Sequence, residues 1–132
     1  MKAKLSNANI SPKKMNLVAG LVRKASVVDA LNTLKFANKK AAKVLYKVVA
    51  SAMSNAENNF GQKREELMIE EVKVTKGQTL KRFIPVSRGR AHPLVHVYSH
   101  VIVMLKAGIE VQKPVKKAAK KTEAVKKTTK KS

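Results

Sequence analysis

Residues 79–92 read Thr79-Leu80-Lys81-Arg82-Phe83-Ile84-Pro85-Val86-Ser87-Arg88-Gly89-Arg90-Ala91-His92, a stretch with Lys81, Arg82, Arg88 and Arg90 and not one acid. It holds too few large apolar side chains to build a core. Its simplest geometry is a long hairpin that turns near Arg88-Gly89-Arg90, where glycine supplies the permissive backbone. Ten extended residues on each side would reach roughly 33 Å. A two-stranded arm of that length is marginal in water and becomes ordered only against a surface that contacts it along its length. For an arm this basic, a phosphate-lined surface fits.

Outward from the arm, both flanks read as strands. Leu67 and Ile69 alternate with polar residues, and so do Val72 and Val74, but in the opposite phase. A one-residue slip at Glu70-Glu71 predicts a β-bulge there. On the other flank, Val95 to Leu105 is β-branched, and its apolar end, Val101 to Leu105, predicts a central strand buried on both faces.

Three helices are predicted before these strands. Ser11-Pro12 is a helix start, with Ser as cap and Pro at the first helical position, and Met15, Val18, Ala19 and Val22 form the inward stripe. Lys13 and Lys14 occupy its opening turn. Ser26 with Asp29 resembles a capping box with the shorter acid, and Val27, Ala30, Leu31 and Leu34 follow on one face. Asn38 is expected to open the longest helix, whose stripe runs Ala41, Ala42, Leu45, Val48, Val49, Ala52, Met53, Ala56 and Phe60, with Gly61 as its stop. Lys39, Lys43 and Lys47 fall on its solvent side. Lys2 to Ile10 alternates and is short, as an edge strand would be.

The chain has 132 residues, with 29 Lys and Arg against 8 acids and a net charge of +21. Such an imbalance makes a polyanion the natural partner: RNA, DNA or an anionic membrane surface. With 44% hydrophobic residues a compact core remains within reach. Aromatic content is 4% without Trp, which disfavours a stacked-aromatic platform for single strands and favours phosphate and shape contacts. The absence of Cys excludes disulfides, thiolate zinc sites and thiolate catalysis. No run approaches the ~18 apolar residues of a membrane span, and a soluble cytoplasmic protein is expected. The division expected is a domain over 1–112, including a hairpin at about 79–98, and a disordered tail over 113–132 that holds nine Lys and Glu123 alone in opposition.

Catalytic and metal readings fail on spacing. His92, His96 and His100 recur every four residues, but on a strand this places neighbours about 13 Å apart along one face, too far to share an ion. Glu70 and Glu71 are adjacent on a strand, and Glu65 and Glu66 sit at a helix-to-strand junction. No glycine-rich phosphate loop or activated nucleophile is present. No cofactor and no small-molecule substrate is implied, and no enzyme.

Several strings occur together in one order: Ile10-Ser11-Pro12-Lys13-Lys14, Ser54-Asn55-Ala56-Glu57-Asn58-Asn59, Thr79-Leu80-Lys81-Arg82-Phe83 with Arg88-Gly89-Arg90-Ala91, and Ser99-His100-Val101. They closely resemble the L-twenty-two family of large-subunit ribosomal proteins in its bacterial form, over about residues 1–107. The resemblance implies an α+β fold, with three helices packed on a small three-stranded antiparallel sheet and a long protruding hairpin. It implies a place in the large ribosomal subunit, cytoplasmic or in an organelle of bacterial ancestry. The expected partners are large-subunit (23S-type) ribosomal RNA, neighbouring ribosomal proteins, and the nascent peptide at the hairpin tip in the wall of the exit tunnel. A part in subunit assembly is implied as well. Carried over by position, Lys81, Arg82, Arg88 and Arg90 face RNA or the tunnel, with Arg88, Gly89 and Arg90 as the tip. Lys13 and Lys14 contact RNA at the first helix, and His100 at the strand opening. This chain has Ile84, Val86, His96 and Val97 where relatives often carry basic residues, so cationic contacts are not carried over to those four positions.

Overall fold

The computed structural model describes residues 1–108, and the expected Lys-rich tail (113–132) lies outside the described residues. The chain runs β1 (Lys2–Ala8), α1 (Pro12–Val22), α2 (Val27–Phe36), α3 (Lys40–Phe60), β2 (Leu67–Pro85) and β3 (Ala91–Ala107). Its strands form one antiparallel sheet in the order β1-β3-β2, with β1 at an edge as expected. The helices cover one face of that sheet, which makes the fold α+β.

Local chemistry sets the helix ends. In α1, Pro12 sits at the first position and Met15 N–H donates to the Ser11 carbonyl at 3.0 Å. Ser11 is the capping residue, as expected, although its hydroxyl accepts no bond from the helix. Ser26 does cap α2: its Oγ accepts from the Asp29 amide at 3.1 Å and donates to the Asp29 carboxylate at 2.8 Å. Helix α3 begins at Lys40, two residues after the expected opening at Asn38, with Lys39 as its capping residue and no side-chain cap bond. It stops at Gly61, whose φ of 62° is a left-handed conformation that glycine adopts without strain. Beyond it, Arg64 pairs with Glu57 on the last turns of α3, and this bond holds the guanidinium further toward its charged form.

The inward stripes meet the sheet as the spacing requires. Met15, Val18, Ala19 and Val22 of α1 are buried, with Val27, Ala30 and Leu34 of α2 and the alanine-rich face of α3. From the sheet, Ile69, Val72, Val101, Val103 and Leu105 close the core. Phe60 departs from the α3 stripe: at the last turn it has passed the end of the core and is 60% exposed. The bulge stands where the phase change placed it, since Ile69 faces Leu105 and Glu71 faces Met104, which leaves Glu70 unpaired. It turns both Glu70 and Glu71 to solvent.

The expectation of a strand buried on both faces needs correction. β3 is central, but within its apolar end only Val101, Val103 and Leu105 are buried, whereas Ile102 and Met104 on the opposite face are half-exposed. A central strand is flanked by hydrogen-bonded neighbours on both edges; burial of its two faces is a separate matter, and here helices cover only one.

Candidate nucleic-acid interface

Above the last pairing with β1, at Ala8 and Ser99, strands β2 and β3 continue alone as a ribbon from Thr79 opposite Val97 to Pro85 opposite Ala91. Seven residues a side span about 23 Å. The ribbon closes through a 3-10 turn at Ser87–Gly89, with the Val86 amide donating to the Arg90 carbonyl at 2.9 Å. Gly89 takes the left-handed conformation foreseen for it (φ 67°), and Arg88 beside it does so too (φ 59°). All four basic residues of the arm, Lys81, Arg82, Arg88 and Arg90, are exposed.

Pairing register divides the ribbon into two faces. Lys81, Phe83 and Pro85 share one face with Ala91, Pro93, Val95 and Val97, which continues the helix side of the sheet. Arg82 lies on the other with Leu80, Ile84, His92, Leu94 and His96. Lys81 and Arg82 therefore address opposite sides, and one continuous surface that wraps the arm would meet both. Exposed apolar area accompanies them: Phe83 is 72% exposed, Val95 49%, Ile84 47%. Apolar side chains this bare on both faces of a thin ribbon mark surfaces meant to be covered.

Charge is segregated along the molecule. Among the described residues the acids are Asp29, Glu57, Glu65, Glu66, Glu70 and Glu71. These lie at the start of α2, the end of α3, the turn after it and the start of β2, the end of the domain remote from the arm. A Ser26–Met68 bridge and the Lys24-to-Ile69 backbone bond draw the start of α2 to the start of β2 there. The arm end, with the openings of α1 and α3, is left purely basic. Lys13 and Lys14 are exposed on the first turn of α1 at that end.

At the arm's root, a second bulge sets Gly77 and Gln78 of β2 against Tyr98 of β3, between the pairs Lys76–Ser99 and Thr79–Val97. A Cβ on Gly77 would stand 3.2 Å from Asn7 Oδ1, His100 Nε2 and the Tyr98 carbonyl carbon. His100 is half-buried, and its Nδ1 accepts from the Asn7 amide at 3.1 Å, so a neutral imidazole carries its proton on Nε2. His92, His96 and His100 lie along one strand, as the spacing argued, and the described residues hold no cluster of three or more His, Cys, Asp or Glu able to hold a metal.

Residues 3–106 match the family model described as ribosomal protein L22p/L17e. The chain belongs to this family. It is 44% identical to the large ribosomal subunit protein uL22 of Mycoplasma mycoides subsp. mycoides, over 104 residues that cover 79% of this chain and 94% of the relative. The uL22 of Mycoplasma capricolum subsp. capricolum matches equally well over the same coverage. The family match takes in the arm, its root and every helix, and leaves the Lys-rich tail outside.

Reasoning from sequence passed over Gly77, Asn7 and Arg23. The Arg23 guanidinium donates to the Val72 carbonyl from Nε (3.3 Å) and Nη2 (3.1 Å), and Nη2 also to Asn16 at 2.6 Å. It ties the end of α1 to β2 beside the Glu70–Glu71 bulge, at the end of the domain away from the arm. An arginine after an apolar stripe carries no local signal of such a partner.

Proposed function

We propose that this chain is a structural constituent of the large ribosomal subunit, not an enzyme, and that it binds large-subunit ribosomal RNA through its basic end. Family membership supports the constituent role and the place in the cytoplasmic ribosome. The arm supports the binding mode. An exposed ribbon with cations on both faces and at its tip, and bare apolar side chains between them, suits insertion into folded RNA better than contact with a flat surface.

In this reading Lys81 and Arg82 neutralise phosphates on opposite sides of the ribbon. Arg88, Gly89 and Arg90 form the tip, in the exit-tunnel wall where a nascent peptide passes. Lys13 and Lys14 bind backbone phosphates at the domain's basic end, and His100 offers the donor on Nε2 at the arm's root. The acid-bearing end faces away from RNA, toward neighbouring ribosomal proteins. Ordering of the arm as RNA closes around it couples binding to subunit assembly.

Co-sedimentation tests the reading: the full chain should travel with large subunits at moderate salt and not with small subunits. Sedimentation with neither, or equal retention on any duplex DNA of the same length, would contradict it.

A further inference from the structure

Beside the arm's root lies a groove of about 620 Å³, where the openings of α1 and α3 meet the free edge of β3. Lys14, Lys39 and Lys40 line it, and no acid among the described residues does. Its walls are aliphatic, with Leu17 on α1 and Val95 and Val97 on β3. Leu17 is 77% exposed and Leu21, one turn on, 62%, so α1 carries a second apolar stripe outside the one that fills the core. We propose that this groove is a binding site for a single unstacked nucleotide of the ribosomal RNA, with the base against Leu17 and Val95 and its phosphate on the lysines.

Three features fix the class of occupant. The volume falls within the ~300–1,000 Å³ of sites that enclose a small ligand. Aliphatic walls under a cationic rim match a nucleotide's own division into an apolar base face and a charged phosphate, and bases splayed out of single-stranded loops and bulges are what proteins read in RNA. Continuity points to the same partner: Val95 and Val97 belong to the arm face that carries Phe83 and Pro93, so RNA following that face runs directly into the groove. Of the two lysines at the start of α1, only Lys14 lines it, which gives Lys13 and Lys14 different tasks.

The inference rests on the RNA-binding reading above, and the test separates the two. A diazirine analogue of leucine is placed at position 17 of the full chain, and in a parallel sample at position 83 on the arm. Each is assembled into large subunits and irradiated. The groove site predicts crosslinks from position 17 confined to one or two RNA nucleotides. An RNA crosslink from position 83, together with none or only a protein crosslink from position 17, would overturn the groove site and leave the arm's role standing. Absence of RNA crosslinks from both positions would overturn both. Leu17→Ala provides the energetic counterpart, since an exposed leucine can be truncated without loss of fold. Affinity for transcribed large-subunit RNA should fall about fivefold to tenfold with an unchanged salt dependence, and wild-type affinity would count against the site.

Discussion

Asn7 and His100 join the first strand to β3: the Asn7 backbone amide donates to His100 Nδ1 at 3.1 Å, across 93 positions in sequence. Asn7 sits at a left-handed φ of 54° in the irregularity that ends β1, and His100 lies opposite it, between the β1 pairs of Val101 and Ser99. The bond stitches the sheet's edge at the point where a three-stranded sheet becomes a two-stranded ribbon. His100→Ala should lower unfolding stability by about 0.5–1.5 kcal/mol, the range for one such bond. Urea denaturation would show this as a lower midpoint with an unchanged slope. An unchanged midpoint would mean that the edge is held by its ladder alone.

Gly77 occupies the same junction from β2. An added methyl would meet side-chain atoms of Asn7 and His100 and backbone of Tyr98, all at 3.2 Å, and the backbone cannot step aside as a side chain can. Gly77→Ala should therefore destabilise by about 1–3 kcal/mol through overpacking, more than offsetting the chain-entropy gain of removing a glycine. A rise in melting temperature for this variant would show that the junction is looser than described.

Ser26 holds the start of α2 through its bond with the Asp29 amide. Ser26→Ala should cost about 1 kcal/mol, read by the same denaturation, and Ser26→Thr, which keeps the hydroxyl that both accepts from the Asp29 amide and donates to its carboxylate, should retain most of the wild-type stability. Equal stability of the alanine variant would assign the helix start wholly to burial of Val27.

The arm makes few contacts with the core, and every residue from Lys81 to His96 is exposed. Replacing 82–94 by Asn-Gly, so that a tight turn links Lys81 to its partner Val95, should leave a cooperatively folded domain with little change in stability. Loss of the unfolding transition would make the arm part of the core.

These outcomes bear on what sequence reveals. Ser26 and Asp29 are three residues apart, so their cap was legible, and so was the bulge at Glu70, because apolar residues on both sides of it record the change of phase. The bulge at Gly77 left no such record: Lys76, Gln78 and Thr79 around it are polar, and polar residues carry no phase. Asn38 was a better cap than Lys39 by chemistry, yet α3 starts where its packing against the sheet allows. Lys14, Lys39 and Val95 meet in the groove only because α1, α3 and β3 converge there, a relation no local pattern encodes. Family resemblance supplied the fold's connectivity, and register alone divided the arm into two faces.

We propose that the arm's four cations, Lys81, Arg82, Arg88 and Arg90, neutralise RNA phosphates. The most direct test is the salt dependence of binding to transcribed large-subunit ribosomal RNA, measured for the full chain and for Lys81→Ala/Arg82→Ala/Arg88→Ala/Arg90→Ala. Each neutralised phosphate contributes about 0.7–0.9 to the slope of log affinity against log salt. The fourfold variant should bind more weakly at low salt, with a slope shallower by about three. Parallel lines for the two proteins would contradict the account.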